Sequence, residues 1–311
     1  MHSRTSHLAG ALIGLAAAFA VGYLLLKSAV QLSFVAMLYA SSPAGVPQPA
    51  GTLAAHGSLS AAGMLLVVAI ITGLLASTRR LSPLAPLLAG LPLLAVVVAG
   101  RLAYLPTQLW MLRNLPANLG IATDPVLQSG ICQLLGGIML VSAAMPWRWT
   151  GKLAAAGRNR TAIGVLVGLF GIAGLWYLLQ LADPVGYAFV TLSTGLPRIF
   201  DLIWLPQAAA AAVIGALAAA RWVSPVAAAL SGIPLLAVGL LLVIVPVGAA
   251  RWTSPFVWGA QPISVYPGQS LSMGVLVLVG GLLLVAAAAP WRWRQASTRL
   301  AASEVAVAAA V

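Results

Sequence analysis

Four charged residues at the ends of apolar runs carry what binding chemistry this chain has to offer. Arg101 and Arg251 follow the third and seventh runs in corresponding places. Two facing guanidiniums would clamp a phosphate or carboxylate with forked hydrogen bonds. The simpler role for each is to snorkel toward lipid phosphates. Arg198 and Asp201 stand three residues apart, the spacing at which opposite charges pair along a helix. Were Asp201 buried in a membrane, it would be the only acid with a claim to a role there, because intramembrane charges are costly.

Other chemistry is scarce. His2 and His7 are far from His56, and the three lack metal-ligand spacing; Cys132, the single cysteine, lies inside an apolar run. There is no nucleophile elbow, phosphate-cradling glycine loop or carboxylate pair. Four acids in 311 residues leave little general acid or base capacity. The sequence therefore leans away from an enzyme and implies no cofactor, metal or catalytic residue.

Composition places this chemistry in a membrane. Hydrophobic residues make up 61% of the chain and charged residues 6%; an ordinary soluble domain has roughly 45–50% and about 25%. Several apolar runs of roughly 20 residues are long enough to cross a bilayer as helices, and no alternating barrel period appears. The net charge of +12 sits in short stretches between apolar runs, so it reports topology and implies no nucleic-acid partner. Arginine exceeds lysine 14 to 2 beside abundant alanine, a bias of GC-rich coding, and the cytoplasmic membrane of a bacterium is the expected location.

The chain is also one unit written twice. Gly130 to Trp149 returns as Gly274 to Trp293, an offset of 144 with 12 of 20 residues identical. At offset 142, Ser82-Pro83 returns as Ser224-Pro225, and Leu91-Pro92 as Ile233-Pro234. The fold class expected is an all-α polytopic membrane protein with eight transmembrane helices in two parallel four-helix repeats. Residues 1–150 form the first, 151–295 the second, and 296–311 a short cytoplasmic tail. The spans read as 8–26, 57–77, 82–100, 126–146, 162–181, 200–220, 226–248 and 271–289. Residues 28–40 either extend the first span or lie on the membrane surface, and the other long connections read as loops rich in proline and aromatics. Eleven basic residues fall on the side of the termini and five opposite, which puts both termini in the cytoplasm and the long connections outside.

Each repeat ends in Pro-Trp-Arg-Trp. Proline stops the helix, and Trp147, Arg148, Trp149 and their counterparts Trp291, Arg292 and Trp293 suit the headgroup interface as anchors. Gly10/Gly14 and Gly164/Gly168 have the spacing of close helix contacts within the chain, and Pro92 and Pro234 bend the third and seventh spans. The function expected is that of a non-enzymatic partner or scaffold subunit, whose outward aromatics, among them Tyr104, Trp110, Trp252 and Trp258, meet another membrane or extracytoplasmic protein, or lipid. The alternative is a carrier or scramblase moving an anionic or lipid-like substrate along the seam between the repeats, with Arg101 and Arg251 at its mouth. The best in-span polar residues are Thr72, Gln128, Gln133 and Gln180, none of which titrates, and this argues against proton coupling.

Overall fold

The computed structural model describes residues 4–40, 50–78, 84–102, 104–116, 119, 126, 130–144, 160–181, 200–220, 225–244 and 274–288. Among these the chain is all-helical and contains no strand. The helices are α1 (Arg4–Ala40), α2 (Ala50–Thr78), α3 (Leu84–Leu102), α4 (Tyr104–Asn114), α5 (Ile131–Ala144), α6 (Arg160–Leu181), α7 (Phe200–Ala220), α8 (Pro225–Ile244) and α9 (Val275–Ala288).

Most of these helices are apolar on every side, the pattern of an element surrounded by other helices or by lipid. Leu8–Val35, His56–Ala76 and Pro225–Ile244 are long and apolar enough to cross a membrane. Shorter apolar stretches occupy Leu84–Ala99, Ile131–Ala144, Thr161–Leu175, Gln207–Ala218 and Val275–Ala288. Large side chains stay exposed along α1 and α6: Phe19 is 79% and Phe170 78% accessible, with Leu12 and Leu166 beside them. Water would penalise such a surface at about 25 cal/mol per Å², whereas hydrocarbon would not.

Glycine sets the packing. Gly14 of α1 lies against the Ala85 carbonyl of α3, and Gly168 of α6 against the backbone of Ala227 in α8, so both small-residue faces are used within the chain. Gly90 of α3 meets Gly136 and Met139 of α5; Gly232 of α8 meets Gly280 and Leu283 of α9. In α6 and α8, the Ser231 hydroxyl donates across the interface to the Gly168 carbonyl at 3.0 Å. Pro92 and Pro234 fall inside α3 and α8 without ending them.

The last helix of each half reaches into the other. Along α5, Gly130 lies against Gln207 of α7, Gly137 against Ala211, and Val141 against Gly215, so the two helices run parallel. Along α9, Gly274 lies against Leu65 of α2, Gly281 against Ala69, and Val285 against Gly73. Thus α5 sits between α3 and α7, and α9 between α8 and α2. Leu65, Ile138, Met139, Ile214, Leu276, Leu278, Leu282 and Leu283 are fully buried.

Of the two readings of residues 28–40, the structure shows the extension of the first helix, and the starts of α2 and α4 depart from the sequence reading. α1 continues to Ala40, and its far part is a packed helix: Ala29, Leu32 and Val35 are buried, with Val35 against Gly57 of α2. α2 correspondingly starts at Ala50. The connection after α3, expected as a loop, holds α4. Its Leu, Gln, Met and Arg residues favour helix, Pro106 falls in the first turn where a missing amide costs nothing, and the Asn114 side-chain amide donates to the Trp110 carbonyl at 2.7 Å.

Candidate functional site

The interface of α5 with α3 and α7 is polar where these helices meet at the start of α5. Gly130 precedes α5 with φ +69°, in the left-handed region that glycine tolerates. A side chain there would strike the Gln207 amide, so Gly130 also makes room for Gln207. Gln133 follows one turn along α5, about 4.5 Å deeper. Gln133 is 6% and Gln207 3% exposed, and the Oε1 of each has no hydrogen-bond partner. Leaving a polar group buried without a partner costs about 1–3 kcal/mol. Two such amides on adjacent helices need a donor.

The α3 backbone brings a third polar residue to this end. Gly90 and Leu94 of α3 pack against α5. Positions 90, 94, 97 and 101 are spaced four, three and four apart, which is one helix stripe. Val97 on that stripe is buried, and Arg101 continues it in the last turn of α3, at the level where α5 begins.

The matching junction of α8, α9 and α2 is apolar at all three places. Gly274, with φ +74°, precedes α9 as Gly130 precedes α5. Leu65 stands where Gln207 stands at offset 142, Val243 where Arg101 stands, and at offset 144 Val277 replaces Gln133. All three are buried, and a Cβ on Gly274 would stand 3.5 Å from the Val243 side chain. The backbone setting is repeated while the chemistry differs.

At the offset of 142 the position matching Arg101 is Val243. α3 is described to Leu102 and α8 to Ile244, and Arg251 lies outside the described residues. Asp201 lies in the first turn of α7, and its expected partner Arg198 lies outside the described residues. So do Trp147, Arg148, Trp149, Trp291, Arg292, Trp293 and Gln128. Gln180 lies in the last turn of α6.

Among the other buried polar groups, Thr72 donates to the Val68 carbonyl of its own helix at 2.8 Å and Ser142 to that of Met139 at 2.8 Å. Such bonds satisfy the hydroxyl without building a site. The Ser58 hydroxyl on α2 is buried without a partner. Cys132 is free and buried in α5. The described residues contain no group of three or more metal-ligating side chains.

Gln207 is the residue that sequence reasoning passed over. The signal was available: a glutamine in the run Pro206-Gln-Ala-Ala-Ala-Ala-Ala-Val213 occupies the place of Leu65 in the first half. Comparison of the chain with protein families, curated proteins and solved structures finds no match.

Proposed function

We propose that the chain is a multi-pass protein of a bacterial cytoplasmic membrane, with eight spans in two parallel repeats and both termini in the cytoplasm. We further propose that it works as a non-enzymatic partner subunit through its outer face. The observation that carries the second statement is the closely packed seam. A Cβ on Gly137 would stand 2.8 Å from the Ala211 methyl, and one on Gly281 2.8 Å from that of Ala69. Among the described residues, helices this close leave no room for a headgroup between α5 and α7 or between α9 and α2.

Several features support the first statement. Arg4 and Lys27 bracket an apolar stretch of α1 that rises about 34 Å, close to the hydrocarbon thickness of about 30 Å. Lys27 lies over the Tyr23 ring at 5.6 Å, a basic and aromatic pairing suited to the interface. The remainder of α1 then projects outside, packed on the start of α2. The eight apolar helical stretches fall on the eight runs of the sequence, and matched glycines at offsets of 142 and 144 make matched contacts. Parallel α5 with α7, and α2 with α9, is the direction that eight spans in this order require.

In this reading the projecting α1–α2 pair and α4, with exposed Leu109 and Trp110, form the docking face together with Trp252 and Trp258. Reconstitution into vesicles tests it. Lipid flip-flop and anion uptake are expected at the protein-free rate, while a photo-crosslinker in place of Trp110 should capture a partner in native membranes. Transport lost in Arg101→Gln/Arg251→Gln would establish the carrier reading instead.

A further inference from the structure

The interface of α5 with α7 and that of α9 with α2 are interchangeable in shape. A Cβ on Gly137 would stand 2.8 Å from the Ala211 methyl, and one on Gly281 2.8 Å from that of Ala69. Cβ atoms on Gly215 and Gly73 would stand 2.9 Å from the Cβ of Val141 and of Val285 respectively. Residues 130–149 and 274–293, which contain α5 and α9, are identical at 12 of 20 positions. By backbone and small residues alone, α5 would fit α2 as it fits α7, and α9 would fit α7 as it fits α2. Chain order even favours the other pairing, because a chain made from its N-terminus offers α2 to α5 before α7 exists. Something must choose between the two pairings.

The two interfaces differ in chemistry at the start of α5 and α9. Gln207 of α7 lies over Gly130, and Gln133 stands one turn further along α5, where a helical side chain leans back toward the N-terminus. Side chains three apart on a helix have Cβ atoms about 5–6 Å apart, so the Gln133 amide comes to the level that Gln207 fills. Both residues are buried, and the Oε1 of each has no hydrogen-bond partner. An amide oxygen needs an N–H, and each glutamine carries two. A half-turn of either amide about its last torsion aims an N–H at the other oxygen with no change of shape, and the tight packing of α5 on α7 keeps the bond direct. At the other interface the matching residues are Leu65 and Val277, both buried. Exchanged partners would set Gln133 against Leu65 and Gln207 against Val277. Each amide would then be buried without a donor in a membrane interior that has no water to supply one.

We propose that Gln133 and Gln207 hydrogen-bond to each other, and that this pair selects the helix pairing: it holds α5 on α7 and so leaves α2 to α9. The apolar match of Val277 with Leu65 completes the choice from the other side. Single buried polar residues fix partner and register in coiled coils by the same penalty on mismatched pairs.

Four cysteines in the full-length chain read the pairing. With Val141→Cys, Gly215→Cys, Gly73→Cys and Val285→Cys in a Cys132→Ala background, oxidation in native membranes closes either 141–215 with 73–285 or 141–73 with 215–285, and peptide mass spectrometry separates the two sets. With the natural glutamines the first set is expected. Gln207→Leu with Leu65→Gln moves the amide from α7 to α2 and should shift the ratio about ten-fold or more toward the second set, since it reverses two polar matches each worth about three-fold. Gln133→Val with Gln207→Leu gives both interfaces the apolar pair that already packs in α9 and α2, so it should fold and close as a mixture of sets. The first set alone from the exchanged chain, or from the all-apolar chain where the exchanged one does not accumulate, overturns the inference, as does a mixture from the chain with its natural glutamines.

Discussion

Gly137→Ala puts a methyl group 2.8 Å from the Ala211 methyl, where about 3.8 Å is needed, so α5 and α7 must part by about 1 Å or bend. Overpacking of this kind costs about 1–3 kcal/mol, against a gain of about 1 kcal/mol from replacing glycine by alanine in a helix. The net change alone is therefore a weak test. Ala211→Gly removes the opposing methyl, and the double variant cancels the helix-propensity terms of both sites, leaving the steric term as a coupling energy of about 1–2 kcal/mol. Gly281→Ala with Ala69→Gly repeats the experiment at α9 and α2, where the separation is also 2.8 Å, and should give a coupling of the same sign and similar size. Reversible unfolding in mixed micelles of dodecylmaltoside and SDS measures the wild type and all six variants. Coupling below about 0.3 kcal/mol, the level at which independent sites add, in either pair would show that the seam is not packed in this way.

Further outcomes follow from other contacts. Gly130→Ala and Gly274→Ala place a side chain at φ values of +69° and +74° against Gln207 and Leu65, so each should lower stability by about 1–3 kcal/mol in the same assay. Ser231→Ala removes the bond to the Gly168 carbonyl and should cost about 0.6 kcal/mol, whereas Thr72→Val, whose hydroxyl bonds only its own helix, should cost less. An impermeant maleimide should reach cysteines introduced by Pro47→Cys, Asn114→Cys and Gln261→Cys in intact cells, and those of Thr78→Cys, Gly151→Cys and Ala301→Cys only after permeabilisation; the reverse pattern would invert the topology.

The apolar helices were legible because hydrophobic runs specify them directly, and of the glycine pairs singled out Gly14 and Gly168 make the expected intrachain contacts. The length of α1 was left between two readings, since Gln31 and Ser33 lower the hydropathy past Ser28 although Leu32 and Val35 are buried and Val35 packs against α2. α4 was missed for a related reason: Pro106 reads as a breaker unless its first-turn position is known. The contacts of α5 with α7 and of α9 with α2 depend on which face of each helix meets which neighbour, and a run that is apolar all round does not encode this. Arg101 was found as a candidate through its charge; its expected mate Arg251 lies outside the described residues, and at the offset of 142 Arg101 aligns with Val243. Gln133 was singled out and Gln207 was not, because their relation exists only once α7 lies beside α5.

Two engineered cysteine pairs test the central claim, an interlocked parallel pair of repeats around a closed seam, most directly. Val141→Cys/Gly215→Cys and Gly73→Cys/Val285→Cys join positions whose Cβ atoms would stand 2.9 Å apart, one pair in each matched interface. Oxidised in native membranes in a Cys132→Ala background, both should close within a single chain, visible as a mobility shift on non-reducing gels and as a link between proteolytic halves. Closure of neither pair, of one only, or only between separate chains would contradict the account.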